Sequence, residues 1–190
     1  MRDREFLILH GWQGSDEDHW QTWLARRLRS EGVKVSYPQL PHKDDPSLSE
    51  WLDALAGELA AMTADERVVI CHSLAGILWL HHCARGGRWV SRALLVAPPG
   101  PSTGIAELDD FFPVRLDAGA VREMAEATQL VCSDNDPYCG EGAKALYGDP
   151  LGIPTRVLAG GGHLNVEAGY GPWPVAADWC AGEGAWFTGG

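Results

Sequence analysis

A serine, an acid and a histidine follow three separate apolar runs: Ser73 in "HSLAG" (72–76), Asp136 in "DNDPYC" (134–139) and His163 in "GGGHLN" (160–165). Together they could perform acyl transfer. A serine hydroxyl is a poor nucleophile at neutral pH and needs a base within hydrogen-bond reach. A histidine serves as that base when a carboxylate fixes its tautomer and stabilises the imidazolium. Pro137 biases Asp136 toward an extended backbone, and the glycines at 160–162 give the histidine a tightly turning approach. Asp134 is the alternative acid. The other histidines fit less well. His72 adjoins Ser73, and neighbours on an extended segment point to opposite faces. His81 and His82 lie two helical turns beyond the serine, roughly 12 Å along an axis that rises 1.5 Å per residue. His19 and His42 follow no strand end.

The developing oxyanion needs donors as well. The amide of Leu74, at a helix N-terminus where free N–H groups point outward, is one. The amide of Trp12, in the "HGW" turn after the first strand, is the second; one such donor is typically worth about 2.7–4 kcal/mol of transition-state stabilisation. His10 and Gly11 in that turn, with Phe111, Phe112, Tyr138 and Leu164 on other strand-end loops, are expected to wall the substrate site. These side chains predict a shallow, apolar site for a short ester or amide. The corner itself departs from the G-x-S-x-G elbow, holding Cys71 and Ala75 where glycines are usual, with Gly76 one residue on. Alone, "CHSLA" fits a helix-capping serine as well as a nucleophile; the partners at the other strand ends shift the balance to catalysis.

The elements that must position these residues alternate along the chain. Strand candidates are 6–9, 33–37, 67–71, 93–97, 129–133 and 155–159, short runs rich in β-branched or apolar residues. Between them lie helical patterns at 16–32, 47–62, 74–85, 119–127, about 140–147 and 173–182. Trp20, Leu24 and Leu28 form one inner stripe, and Trp51, Leu55 and Leu59 another, with Ser47 or Ser49 as cap. Alternation of this kind specifies a mostly parallel six-stranded sheet between helical layers, a three-layer α/β sandwich. Ligands of such sheets bind outside the carboxyl ends of the strands, where all three chemical residues fall. The whole chain, 1–190, reads as one domain. The segment 98–116 is the one long irregular connection, too short for a separate cap domain.

Composition narrows the classes further. A formal charge of −11 and an isoelectric point near 4.9 argue against nucleic acid, whose partners concentrate Lys and Arg. Five cysteines without a C-x-x-C pair read as reduced thiols of a cytoplasmic protein, not as a disulfide framework or zinc site. No signal-peptide core follows "MRDRE", and no apolar run reaches the 18 or so residues of a membrane span. No spacing suggests a metal or other cofactor: "GGGH" lacks a following G-K-[ST], and no G-x-G-x-x-G follows the first strand.

The order serine, acid, histidine is that of α/β-hydrolases. "HGWQGS", "CHSLAG", "SDNDPYC" and "GGHLN" resemble, in order and spacing, the small α/β-hydrolase-fold serine hydrolases of the YdeN and retinoblastoma-binding-hydrolase type. The resemblance covers nearly the whole chain, and the S-x-N-D-P-Y box is its most specific part. It implies a compact hydrolase without a cap domain, with Ser73 as nucleophile, Asp136 as acid and His163 as base, acting on small esters or amino-acid derivatives. Two other functions use the same features: a binding module that keeps the fold without useful turnover, and an acyltransferase passing the acyl group to an acceptor other than water. The expected partner is a small-molecule ester or amide.

Overall fold

The computed structural model describes residues 3–182. Strands β1 (Arg4–Leu9), β2 (Lys34–Ser36), β3 (Glu66–His72), β4 (Val90–Val96), β5 (Ala125–Ser133) and β6 (Thr155–Leu158) form one sheet in the order β2-β1-β3-β4-β5-β6. Every adjacent pair is parallel, so the sheet is wholly parallel where the sequence predicts mostly parallel. The central strands are apolar runs because both their faces are covered. Phe6, Ile8, Val68, Ile70, Leu94 and Val96 face one layer; Leu7, Leu9, Val69, Cys71, Ala93 and Leu95 face the other.

The first layer holds α1 (Trp20–Ser30) and α6 (Pro174–Ala181), packed through Trp20, Leu24, Leu28 and Trp179. The second holds α2 (Leu48–Ala61), α3 (Leu74–Ala84) and α4 (Ala118–Met124), packed through Trp51, Leu55, Trp79 and Val121. Each fully buried Leu-sized side chain contributes roughly 1.5–3 kcal/mol, so these two cores hold the layers on the sheet.

Three helices differ from expectation. α1 begins at Trp20, because Asp16–Asp18 form a turn: the Asp16 carbonyl accepts from the His19 amide at 3.1 Å and from the Thr22 hydroxyl at 2.8 Å. His19 caps the helix instead, its Nδ1 accepting from the Gln21 amide at 3.2 Å. α4 stops at Met124 because Ala125 and Ala127 pair with Val90 and Arg92 as β5. The helix predicted near 140–147 is a π-turn, Lys144–Gly148, running into α5 (Asp149–Leu151). Gly142, at φ +82°, breaks any earlier start.

The 98–116 segment is a strap tied at both ends. The Tyr147 hydroxyl donates to the Pro99 carbonyl at 2.6 Å, and the Gly100 amide to the Tyr138 carbonyl at 2.8 Å. Farther on, Asp110 accepts from the Leu48 amide at 2.6 Å, and His81 Nε2 donates to the Phe111 carbonyl at 2.9 Å. Ser47 precedes α2 without a capping hydrogen bond; Asp110 of the strap occupies that helix end instead. No separate cap domain stands over the sheet among the described residues, and none of their helices is long and apolar enough to cross a membrane. Cys71, Cys83, Cys132, Cys139 and Cys180 are all free and buried.

Candidate active site

Ser73 is the single residue between the end of β3 and the start of α3. It turns the chain through φ 55°, ψ −125°, a conformation costing an L residue on the order of 1–3 kcal/mol. Its amide is pinned to the Val96 carbonyl of the neighbouring strand at 2.8 Å, and its carbonyl accepts from the Gly76 amide at 2.8 Å. The corner forms with Cys71 and Ala75 in place of glycines, both fully buried. Gly76 supplies the close contact instead: a Cβ there would sit 3.2 Å from the Pro98 Cβ. Ser73 occupies the N-cap of α3, yet its hydroxyl makes no capping hydrogen bond. A plain capping serine would make one.

The hydroxyl is engaged elsewhere. Ser73 Oγ lies 2.9 Å from His163 Nε2, and His163 Nδ1 lies 2.9 Å from each oxygen of Asp136. Because Asp136 accepts at Nδ1, the neutral ring carries its proton there and offers Nε2 as an acceptor to the Ser73 hydroxyl. Asp136 is 6% exposed and His163 8%. The Tyr138 amide donates to Asp136 Oδ1 at 2.9 Å, holding the carboxylate in place. The Tyr138 ring meets the imidazole edge at 4.5 Å between centroids. An imidazole bridging a carboxylate and a hydroxyl can accept the hydroxyl proton as the oxygen attacks an electrophile.

The loop bearing His163 is held almost entirely by side chains from Ser133–Asp136. The Ser133 hydroxyl donates to the Gly162 carbonyl. Asp134 accepts from the Gly160 amide at 2.8 Å, and Asn135 from the Gly162 amide at 2.7 Å. Asp134, the alternative acid, thus ties down the loop backbone and makes no contact with the imidazole. From below, His72 Nε2 donates to the His163 carbonyl at 3.0 Å and the Trp20 indole to the Leu164 carbonyl at 2.9 Å. Gly162, at φ +55°, has Ala168 Cβ only 2.9 Å from where its own Cβ would be, so only glycine fits there.

Opposite the serine lies the turn after β1. A Cβ on Gly11 would fall 2.7 Å from Ser73 Cβ and 3.1 Å from Ser73 Oγ, so the turn and the corner touch through the missing side chain. His10 lies beneath this turn, fully buried. Its Nε2 accepts from the Leu40 amide at 2.8 Å, which puts the ring proton on Nδ1, the donor to the Gly11 carbonyl at 2.7 Å. Burial holds the His10 pKa below its ordinary value and keeps the ring neutral. In a trans peptide the N–H points away from the C=O within one plane, so His10, by holding the Gly11 carbonyl, turns the Trp12 amide to the opposite edge of that peptide. No acceptor engages the Trp12 or Leu74 amide among the described residues.

A cavity of about 290 Å³ opens over Ser73 and His163, with Gly11, Trp12 and Tyr138 in its lining. The other expected walls lie elsewhere. Phe111 is fully buried against Trp51, 5.3 Å between ring centroids, because the strap folds back into the core; Phe112 packs on the same core. Leu164 is buried among the α1–α6 side chains, and His10 supports the turn from inside. In their place stand Gln13, Asp16, His19, His72, Asn165 and Glu167, so the lining is polar where the sequence predicts it apolar. His72 follows the alternation of β3, facing the α1 layer with Val68 and Ile70 beside His19 and Trp20. It escapes the sequence reading because Ser73, at positive φ, departs from that alternation and both residues border the cavity. His19 carries no signal of its own: it reaches the site through the turn that caps α1.

Comparison with known proteins assigns the chain to a family. The profile of the serine hydrolase family matches residues 6–181. YdeN of Bacillus subtilis (strain 168), named as a hydrolase, is 25% identical over 180 residues, 92% of this chain and 93% of that protein. The crystal structure of the B. subtilis ydeN gene product has a TM-score of 0.83 at 23% identity, covering 95% of this chain and 98% of that one. Est1E from Butyrivibrio proteoclasticus has a TM-score of 0.62 at 14% identity, covering 85% of this chain and 80% of its own. The fold is that of the α/β-hydrolases, and the match to the family profile runs from the first strand to the last helix. By that match the chain belongs to the serine hydrolase family.

Proposed function

We propose that this hydrolase cleaves small esters or amides through an acyl-enzyme on Ser73. Ser73 Oγ attacks the substrate carbonyl carbon as His163 Nε2 takes the hydroxyl proton. The amides of Trp12 and Leu74 hold the oxygen on which negative charge develops. The tetrahedral species collapses, the bond to the leaving group breaks, and His163 returns its proton to the departing alcohol or amine. Water, deprotonated by His163, then attacks the acyl group, releasing the acid and restoring the serine hydroxyl. Throughout, Asp136 keeps the Nδ1 proton in place and stabilises the imidazolium.

One observation carries this reading: a continuous hydrogen-bonded line runs from Asp136 through both His163 nitrogens to a serine hydroxyl that does not cap its own helix. The five buried free thiols fit a reducing compartment, and we assign the enzyme to the cytoplasm. A fluorophosphonate probe tests the chemistry. It is expected to label the wild type covalently at Ser73 and to leave folded Ser73→Ala unlabelled. Folded wild-type protein that resists labelling overturns the proposal.

A further inference from the structure

Two buried histidines in the cavity lining have no part in the reaction just described. His19 is 5% exposed and His72 4%, with ring centroids 4.9 Å apart. His72 in turn lies 5.1 Å from the His163 ring. Their protein hydrogen bonds fix both tautomers. His19 Nδ1 accepts from the Gln21 amide, so its proton sits on Nε2. His72 Nε2 donates to the His163 carbonyl, so its Nδ1 is a bare acceptor. Burial pushes the His19 pKa down to about 4 and holds that of His72 well below the ordinary range, so both rings are neutral at neutral pH. Among the described residues, neither His19 Nε2–H nor His72 Nδ1 has a protein partner. The cavity is therefore lined by two rings 4.9 Å apart, one carrying a spare donor and the other a spare acceptor.

We infer that His19 and His72 form a recognition subsite for a hydroxyl group on the substrate. This inference rests on the hydrolase reading above and specifies its substrate class. A hydroxyl both donates and accepts, so it pairs with His72 Nδ1 and His19 Nε2–H at once. An ammonium group only donates and leaves the His19 N–H unpaired. A carboxylate only accepts, leaves His72 unpaired, and meets Asp16 and Glu167 in the same lining. A plain alkyl group buries both nitrogens without partners, the costliest outcome for a polar group. Sites built to hydrogen-bond a substrate hydroxyl reject the analogue that lacks it. The class is thus hydroxy-substituted esters or amides, with the hydroxyl a few bonds from the scissile carbonyl.

The test compares p-nitrophenyl butyrate with its 2-hydroxy, 3-hydroxy and 3-amino derivatives. Wild-type kcat/KM is expected to favour one hydroxy ester over butyrate by about tenfold or more, with no such preference for the amino ester. The variant His19→Asn retains an oxygen to cap α1 but withdraws the Nε2 donor, and is expected to bring the hydroxy-to-butyrate ratio within about threefold of unity. Because the ratio compares two substrates on one preparation, partial unfolding does not move it. Equal wild-type rates on butyrate and both hydroxy esters, or a preference that survives in His19→Asn, overturns the subsite and leaves the hydrolase reading standing. No turnover of any ester, together with no fluorophosphonate labelling, overturns the hydrolase reading itself.

Discussion

The two halves of the candidate site are held by different means. The Ser73 corner is fixed by backbone and packing: two main-chain hydrogen bonds to flanking elements, buried Cys71 and Ala75 around it, and Gly11 pressed against its Cβ. The His163 loop has no regular secondary structure and is fixed by side chains, four of them consecutive from Ser133 to Asp136. Packing is unforgiving of added volume but indifferent to charge. A set of parallel hydrogen bonds is the reverse, since each contributes about 0.5–1.5 kcal/mol and the rest persist when one is lost. The serine half is therefore brittle, and the histidine half is graded in its response.

The largest effect should come from the brittle half. Gly11→Ala places a methyl 2.7 Å from Ser73 Cβ, so turn and corner must separate. The rate of fluorophosphonate labelling is expected to fall by about 100-fold or more, since displacement of reacting groups by an ångström costs that much. A fall below tenfold would break the contrast. In the graded half, Asn135→Ala removes the acceptor of the Gly162 amide but leaves the Ser133, Asp134 and His72 contacts. There kcat is expected to drop by about tenfold with KM little changed, and Asn135→Asp, which keeps the oxygen, to recover most of it.

A third effect falls on stability, not rate, and concerns both halves together. Neutral His10 underlies the turn, neutral His72 underlies the base loop and neutral His19 packs against His72, all with pKa values depressed by burial. The unfolded chain takes up these protons near pH 6.5 and the folded protein does not. Their contribution to stability is thus complete above pH 6.5 and is lost as pH falls toward the folded values. For His19, depressed to about 4, the loss is on the order of 3 kcal/mol between those limits. Thermal melts from pH 7.5 to 4 should show a steeper decline for the wild type than for His19→Asn. Parallel curves would mean that His19 is not buried in neutral form.

The same contrast explains what the sequence conveyed. The six strands, their order of chemical residues and the Ser73, Asp136 and His163 positions were legible because each follows an apolar run, and parallel strands present their carboxyl ends on one edge. The ends of α1 and α4 were not. Asp16–Asp18 look like a helical first turn, but their hydrogen bonds form a turn ahead of it, with an unusual cap in His19. Ala125–Ala127 favour a helix by propensity, and pairing with β4 overrides it. The cavity wall was least legible of all. Phe111 follows a strand end in sequence, yet the strap carries it 5.3 Å from Trp51 in the core, a long-range contact that no local pattern encodes. His72 was set aside by the alternation rule, which stops applying where Ser73 adopts a positive φ.

The strap between Pro98 and Leu116 has one further consequence. It is tied to α2, to α3, to Tyr138 and to Tyr147, with Phe111 sunk into the core. A segment so anchored is tied to the body of the molecule at several points along its length. In this structure the cavity beside the strap is open to solvent. In the proposed reaction an acyl-enzyme in such a cavity meets solvent water, and any other acceptor competes against it. That kinetic handicap favours hydrolysis over acyl transfer, without any residue being dedicated to the choice.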